Sequence, residues 1–301
     1  MYYGEIFAVI GSDEKERESI AEKLGKLHEK EKTRIYYRKH GEYIRSVLVP
    51  SQYPESILDT AESATLASTI ILHLPVNLQW TDGELLLLAN SVNTKKIIIV
   101  SQLQQEMINK LLKDVKLSVQ PEILNEIVEP SNENVEDDLG IIYVDRVFTV
   151  KGVGTVVTGF TYTPVEVHEK LVALPYGKEV EVKSIQVLDE DQKEVKSGTR
   201  IGFALKNVKE EEVKDTYFLV KPEVKFAKEF EASFTKYPWS QATSMTHIIY
   251  YGNSFTGEIK EENDKTKVTL NNPIPIRAGK IPVINVNVKP GKPRVLGYLT
   301  L

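Results

Sequence analysis

The run Asp145-Arg146-Val147-Phe148-Thr149-Val150-Lys151-Gly152-Val153-Gly154-Thr155-Val156-Val157-Thr158-Gly159 reads as two strands joined by a tight turn. Strand formers lead into Lys151-Gly152-Val153-Gly154 and resume after it. Glycine at both turn positions admits positive φ, which a two-strand connection needs. Gly159, inside the returning strand, permits a bend or a close backbone approach. A Gly-x-Gly pair can also open a dinucleotide loop, but that loop must lead into a helix, and no helical pattern follows.

Working outward, strand-like runs continue at Ile141–Val150, Thr155–Thr161, Val180–Val187, Ile201–Leu205 and Tyr217–Val220, separated by Gly and charged turns. A second set begins near Pro222, with Phe226–Phe234, His247–Tyr251, Ser254–Ile259, Lys267–Leu270 and Ile281–Val288. Short strands at regular spacing predict barrels, which leave no open sheet edge. The first part differs. Glu5–Ile10 is an apolar strand ending at Gly11, and Ser12 is placed to cap a helix. That helix is expected from Glu14 to about Lys32, with Ile20, Leu24 and Leu27 at helical spacing. Arg34–Lys39 and Tyr43–Val49 form a hairpin turning at His40-Gly41. Helices near Glu55–Leu66 and Gln104–Leu112 alternate with buried strands Thr69–Leu74 and Ile97–Val100. Thr81-Asp82-Gly83-Glu84 reads as a capping box opening a further helix to about Asn90. Strands alternating with helices predict an α/β domain on a mainly parallel sheet. The polar, acidic stretch from Pro130 to Asp138 is the expected linker.

With 301 residues, 41% hydrophobic and 27% charged, the chain has the composition of a soluble globular protein. It has no Cys, so disulfides and thiolate metal sites are excluded, and its five His show no metal spacing. The N-terminus shows no signal peptide, and no apolar run could span a bilayer. Charge is uneven. Residues 1–138 hold 15 Lys/Arg against 23 Asp/Glu, residues 139–222 hold 12 against 13, and residues 223–301 hold 11 against 7. The basic final segment leaves room for phosphate contacts. It reads equally well as ordinary surface scatter.

The Asp145–Gly159 run closely resembles the opening of the second domain of SelB/EF-Tu-type translation GTPases. Three further elements follow in the family's order. Val180-Glu181-Val182-Lys183-Ser184-Ile185-Gln186 looks like its V-x-V-K/R-S-I-Q strand. Ser197-Gly198-Thr199-Arg200-Ile201-Gly202-Phe203-Ala204-Leu205 looks like its A-G-Q-R-V-A-L-N-L segment. The turn from Asn207 to Asp215 stands where the family reads G-V-x-x-x-x-I-x-R-G-D. The variant is nearer SelB than EF-Tu. Beyond Pro222 the match is weaker, at Thr246–Asn253 and Pro273–Gly279. The resemblance implies a three-domain EF-Tu-like architecture. A P-loop-GTPase-like α/β domain spans 1–128 and a linker 129–138. Barrels like translation-factor domains II and III span 139–222 and 223–301.

The first domain departs from that family. The family binds GTP through Gly-His-Val-Asp-His-Gly-Lys-Thr. Here the register from Gly11 puts Glu16 for the second Gly, Arg17 for Lys and Glu18 for Thr. The carboxylates are expected to repel phosphates. Where the family has Asp-x-Pro-Gly-His, this chain reads Leu48-Val49-Pro50-Ser51-Gln52-Tyr53-Pro54. Where it has Asn/Thr-Lys-x-Asp, this chain reads Ser101-Gln102-Leu103-Gln104. The expected loop for nucleotide binding is therefore degenerate, and neither cofactor nor GTP hydrolysis is expected.

By motif match, the family's aminoacyl pocket falls on Asp145, Arg146 and Arg200. An Asp suits an α-amino group, and Arg suits an anionic side chain or phosphate. An Asp–Arg ion pair at a strand start is the alternative. Arg277, Lys280, Lys289, Lys292 and Arg294 cluster near turns and suit phosphate contact, or form a solvated rim. Trp239 stacks on a base or packs on the barrel, and His247 reads as a core or pocket-edge residue. The expected partner is tRNA or the ribosome, bound in the cytoplasm without GTP turnover and without a membrane. The alternatives are a divergent GTPase that still binds GTP and a protein-interaction scaffold.

Overall fold

The computed structural model describes residues 1–132, 137–240, 245–262, 265–289 and 291–301. Its first apolar run becomes β1 (Tyr3–Gly11), buried from Gly4 onward. Such a strand must be central to its sheet. Then come α1 (Glu14–Leu24), β2 (Lys26–Lys30), β3 (Thr33–His40), β4 (Tyr43–Pro50), α2 (Leu58–Leu66), β5 (Thr69–Leu74), α3 (Trp80–Asn90), β6 (Lys96–Ser101), α4 (Gln105–Val115) and β7 (Glu122–Leu124). The sheet order is β2-β3-β4-β1-β5-β6-β7. From β4 to β7 every pairing is parallel. β2 and β3 extend the sheet in antiparallel fashion.

Three local expectations are corrected. α1 ends at Leu24 and does not run to Lys32. Gly25 then passes so close to β3 that a Cβ there would lie 3.0 Å from the Tyr37 backbone, and Leu27 is left about half exposed. The cap of α1 is Asp13, which accepts from Lys15 N at 2.8 Å and Glu16 N at 3.3 Å. Ser12 donates instead to Asp82 at 2.6 Å. The capping box of α3 is Gln79 with Asp82, two residues before the expected start, and this frees Glu84 for another task.

The next sheet contains β8 (Ile141–Val150), β9 (Gly154–Thr161), β10 (Val165–Glu166), β11 (Lys170–Leu174), β12 (Lys178–Val187), β13 (Glu190–Gln192), β14 (Glu194–Val195), β15 (Arg200–Lys206) and β16 (Phe218–Val220), with β10 and β14 pairing apart from the rest. Its order is β11-β16-β8-β9-β15-β12-β13, and β11 also pairs with β12, which closes the barrel. Both turn glycines of the β8–β9 hairpin have positive φ, 83° at Gly152 and 109° at Gly154. A Cβ on Gly159 would sit 1.7 Å from the Tyr143 carbonyl oxygen, so only glycine fits there. A second closed barrel follows, from β17 (Phe226–Lys236), β18 (Thr246–Tyr250), β19 (Asn253–Glu262), β20 (Lys265–Pro275), β21 (Lys280–Ile284) and β22 (Val295–Thr300), in the order β17-β20-β19-β18-β21-β22. The expected strand Ile281–Val288 stops at Ile284, where the chain turns toward β22. Among the described residues, no helix is long and apolar enough to cross a membrane.

The three bodies pack against one another. The start of the expected linker is tied down by Arg45, which is fully buried. Arg45 reaches Glu129 at 2.6 Å, the Pro130 carbonyl at 3.0 Å and Asn132 at 3.3 Å. Residues 133–136 of that linker lie outside the described residues. Tyr162 of the first barrel donates to the Leu66 carbonyl at 2.7 Å. Tyr217 and Arg277 join the two barrels through the carbonyls of Pro273 and Leu139, each at 2.7 Å.

The α/β domain and the first barrel approach closely at Gly4 of β1 and Gly198, whose φ is +75°. A Cβ on Gly198 would lie 1.9 Å from the Gly4 oxygen. Gly198→Ala is therefore expected to destabilise the chain by about 1–3 kcal/mol, from strained φ and forced separation together. Thermal unfolding checks this. An unchanged midpoint would mean that the junction is looser than the structure has it.

Candidate functional site

The sequence-selected residues of the first barrel meet in one cluster, from which Arg146 and Arg200 line a groove and Asp145 a smaller cavity. β8 carries a bulge at Asp145, because Val144 faces Gly159 while Arg146 faces Thr158. A bulge re-aims side chains. Here it sends the Asp145 carboxylate to Thr158 Oγ1 at 2.6 Å and into an ion pair with Arg200. Arg200 is nine-tenths buried, and its guanidinium lies 5.1 Å from the Phe160 ring centre. Burial alone would lower the Arg200 pKa, but the nearby Asp145, Tyr37 and Glu29 outweigh it and hold the pKa above its ordinary value.

Glu29 was not a sequence candidate. It lies on β2, the edge strand of the α/β domain, beside a second bulge at His28. Its carboxylate meets Arg200 at 3.2 Å and also pairs with Arg146. Glu31 reaches Arg146 at 3.3 Å. The structure thus brings Asp145, Arg146 and Arg200 together and adds two carboxylates from another domain. The missed signal was Gly25, whose close approach to the Tyr37 backbone ends the helix and leads the chain into β2.

Beside this cluster runs a groove of about 1040 Å³ between β2 and the first barrel. Phe148, Val156, Ile185 and Ala204 contribute apolar surface, and Lys30 and Lys183 lie at its sides. Lys183 also sits at a bulge, on β12. Nothing but the Gln186 oxygen lies within 4 Å of a Cβ built on Gly202, so the floor there is open.

The region around Gly11 is arranged differently. Arg17 is fully buried. It folds back to donate to the Gly11 carbonyl at 2.6 Å and the Tyr53 carbonyl at 3.4 Å. Burial lowers its pKa, partly offset by Glu14 and Asp59. A Cβ on Gly11 would meet His73 at 3.1 Å and the Arg17 side chain at 3.6 Å. Glu18 does not face this space and pairs with Arg34 at 2.7 Å. Glu16 does face a cleft of about 480 Å³ beside α1, together with Asp13, His73, Gln102 and Glu126. Open α/β sheets bind ligands at the carboxyl ends of their strands, where this cleft lies. Lys23 also lines the cleft and pairs with Glu126 at 2.8 Å, so the walls are rich in carboxylate. Ser101, in the position of a base-reading motif, donates to the Leu74 carbonyl at 2.9 Å and accepts from Leu103 N at 3.1 Å.

The five basic residues of the second barrel part company. Arg277 joins the two barrels, as described. Lys280 donates to the Asn90 carbonyl at 2.6 Å and to Ser118, and burial lowers its pKa. Arg294 is held by Glu84, at 2.7 Å from Nη2. All three serve domain junctions, while Lys289 and Lys292 are exposed. Trp239 stacks on Tyr237 with ring centres 5.3 Å apart, and the Tyr237 hydroxyl is 2.9 Å from Ser91. His247 lies 3.0 Å from Ser254 across β18 and β19, and burial lowers its pKa.

No protein-family model matches the chain. An uncharacterized protein of Methanocaldococcus jannaschii is 27% identical over 266 residues, which cover 84% of this chain and 86% of that protein. The selenocysteine-specific elongation factor of the same organism is 35% identical over 133 residues, which cover 42% of this chain and 26% of the factor. Elongation factor 1-alpha of Aeropyrum pernix is 32% identical over 181 residues, 56% of this chain and 40% of the factor. Among solved structures, a bacterial selenocysteine-specific elongation factor, EF-Sec, superposes with a TM-score of 0.78 at 18% identity, over 100% of this chain and 58% of that one. Apo SelB from Methanococcus maripaludis superposes with a TM-score of 0.73 at 15% identity, over 99% of this chain and 79% of that one. The chain therefore has the EF-Tu-like, three-part architecture of a SelB-type factor, and its sequence likeness runs to SelB and elongation factor 1-alpha.

Proposed function

We propose that this chain is a SelB/EF-Tu-like translation factor that binds tRNA, charged or uncharged, or a ribosomal partner in the cytoplasm without hydrolysing GTP. One contrast carries the reading: the cleft beside Gly11 is walled by Asp13, Glu16 and Glu126, with Arg17 turned back onto the Gly11 carbonyl, while a larger groove with an apolar floor is open on the first barrel. The groove combines an apolar floor with Lys30, Lys183, Arg146 and Arg200, set against Glu29, Glu31, Asp189 and Asp191. Such surfaces bind a nucleic-acid end through stacking and phosphate contact without reading its sequence. Asp145, which lines the smaller neighbouring cavity and is shared with Thr158 and Arg200, is the acceptor for an α-amino group in this reading.

The test is a titration of the whole chain with charged and uncharged tRNA at several salt concentrations. Binding should weaken with salt, and Arg146→Ala should reduce the salt slope by about one. Arg146 is the better probe because it is half exposed and its loss leaves the barrel core intact. Salt-insensitive binding, or none, would refute the RNA reading. A scaffold reading is favoured by one observation: Arg277, Lys280 and Arg294 spend their charge inside the protein. It predicts that neither tRNA nor nucleotide binds.

A further inference from the structure

Two arginines and three carboxylates form one cluster at the groove, and two of the carboxylates come from a different domain. Arg200 is shared between Asp145 and Glu29, and Arg146 between Glu29 and Glu31. Counted together, the cluster has one negative charge in surplus. Glu29, Glu31 and Arg146 also line a smaller cavity of about 190 Å³ on the far side, so they form the partition between it and the groove.

The strand that supplies the carboxylates is weakly held. β2 is five residues long, pairs on one side only with β3, and has no buried residue. Its bulge at His28 further interrupts the ladder. Short edge strands with few buried apolar contacts open at low free-energy cost. Arg200, in contrast, is rigidly placed by the barrel, between Phe160 and Asp145.

We propose that Glu29 is a built-in competitor for the Arg200–Arg146 pair, so that an anionic ligand group enters only by displacing it together with β2. The inference rests on the groove being the tRNA site. Glu29 occupies the donor groups that a phosphate or carboxylate of the ligand would use. Each ligand must first pay back those ion pairs, and its apparent affinity falls by the fraction of chains in which Glu29 is in place. The partition also opens when Glu29 leaves, which joins the two cavities into one longer site. Glu29 therefore sets both the affinity for acidic groups and the length of site available.

The experiment compares the wild-type chain with Glu29→Gln, using an RNA hairpin that ends in an unpaired 3′ tail as the probe. Fluorescence anisotropy at one fixed, low salt concentration reads the affinity. Hydrogen exchange at residues 26–30 reads the strand. Glu29→Gln is expected to tighten binding about tenfold, as for a latch closed in nine chains out of ten. It should also speed exchange in β2, and the probe should do the same to the wild-type strand. Equal affinity of the two chains would overturn the competitor role while leaving the tRNA reading in place. Weaker binding by Glu29→Gln would overturn it too, since Glu29 would then serve the ligand. If neither chain binds the probe, the functional reading falls and this inference with it. Should Glu29→Gln melt early, Glu31→Gln gives a second measurement. Its carboxylate is exposed and, among the described residues, meets only Arg146, so a smaller gain in the same direction is expected, and no gain counts against the proposal.

Discussion

Arg294→Ala is expected to lower the stability of the chain by about 3–5 kcal/mol, the usual consequence of removing one partner of a buried ion pair. Glu84, on α3, is fully buried. Its two oxygens take Arg294 Nη2 at 2.7 Å, Arg294 Nε at 3.1 Å and the Arg294 backbone N–H. The guanidinium also lies over Tyr53 at 5.6 Å and over Trp80 at 5.9 Å. Without Arg294, among the described residues the carboxylate keeps only the variant's own backbone N–H and the Tyr53 hydroxyl at 3.1 Å, which also reaches the Thr81 carbonyl at 2.7 Å. A buried charge held so poorly must take up a proton or draw in water, and both cost free energy. Because the pair joins the α/β domain to the last barrel, the loss should appear as separation of those two bodies at lower temperature. Differential scanning calorimetry would show it, with a midpoint shift of about 2–4 °C for each kcal/mol in a chain of this size. A control sharpens the argument. Changing both residues together, Glu84→Gln with Arg294→Met, should recover part of the loss, since no unpaired charge remains. If Arg294→Ala melts with the wild type, the junction does not depend on this pair.

GTP and GDP are expected to show no saturable binding up to about millimolar concentration, which corresponds to less than about 4 kcal/mol of association free energy. Three features act together. The N-terminus of a helix is an anion site only while its N–H groups are free, and Asp13 already accepts from Lys15 N and Glu16 N. Glu14 and Glu16 stand in the first turn, where each would oppose a phosphate by about 1–4 kcal/mol at 4 Å, depending on how much water remains. Arg17, the cation in the register of the family's Lys, is committed to the Gly11 and Tyr53 carbonyls, which leaves the exposed Lys15 among Asp13, Glu14, Glu16 and Glu18. Isothermal titration with magnesium present checks this directly. Micromolar binding accompanied by turnover would make the chain a divergent GTPase and end the reading offered for it. Arg17→Ala should not create a nucleotide site, because Asp13 and Glu16 remain.

Much of the architecture could be read from the chain itself. The β8–β9 hairpin was legible because its turn needs positive φ at two positions and glycine stands at both. Gly159 was legible for a related reason, as a strand glycine signals a close backbone approach. β5 and β6 stood out as short apolar runs bounded by polar turns. β2 was hidden because Lys26–Lys30 has neither a buried face nor β-branched residues, and helical spacing carried the reading past Gly25. Asp145, Arg146 and Arg200 could be found by motif. Their neighbour Glu29 could not, since nothing near it in sequence tells which domain it will face.

The amino-acid order by itself determined most of the strands and helices, β2 excepted, because φ preferences, apolar periodicity and glycine positions are properties of neighbouring residues. It also determined that the loop after β1 carries Glu16, Arg17 and Glu18 in place of a Gly-Lys-Thr run. Only the tertiary structure decided what the charges do. Arg294 and Lys280 became bolts between domains, Arg17 became a buried plug, and Arg200 acquired Glu29 as a partner. The reason is range. A side chain's charge acts on whatever lies within a few ångströms, and residues separated by 171 positions, as Glu29 and Arg200 are, become neighbours only when the domains close.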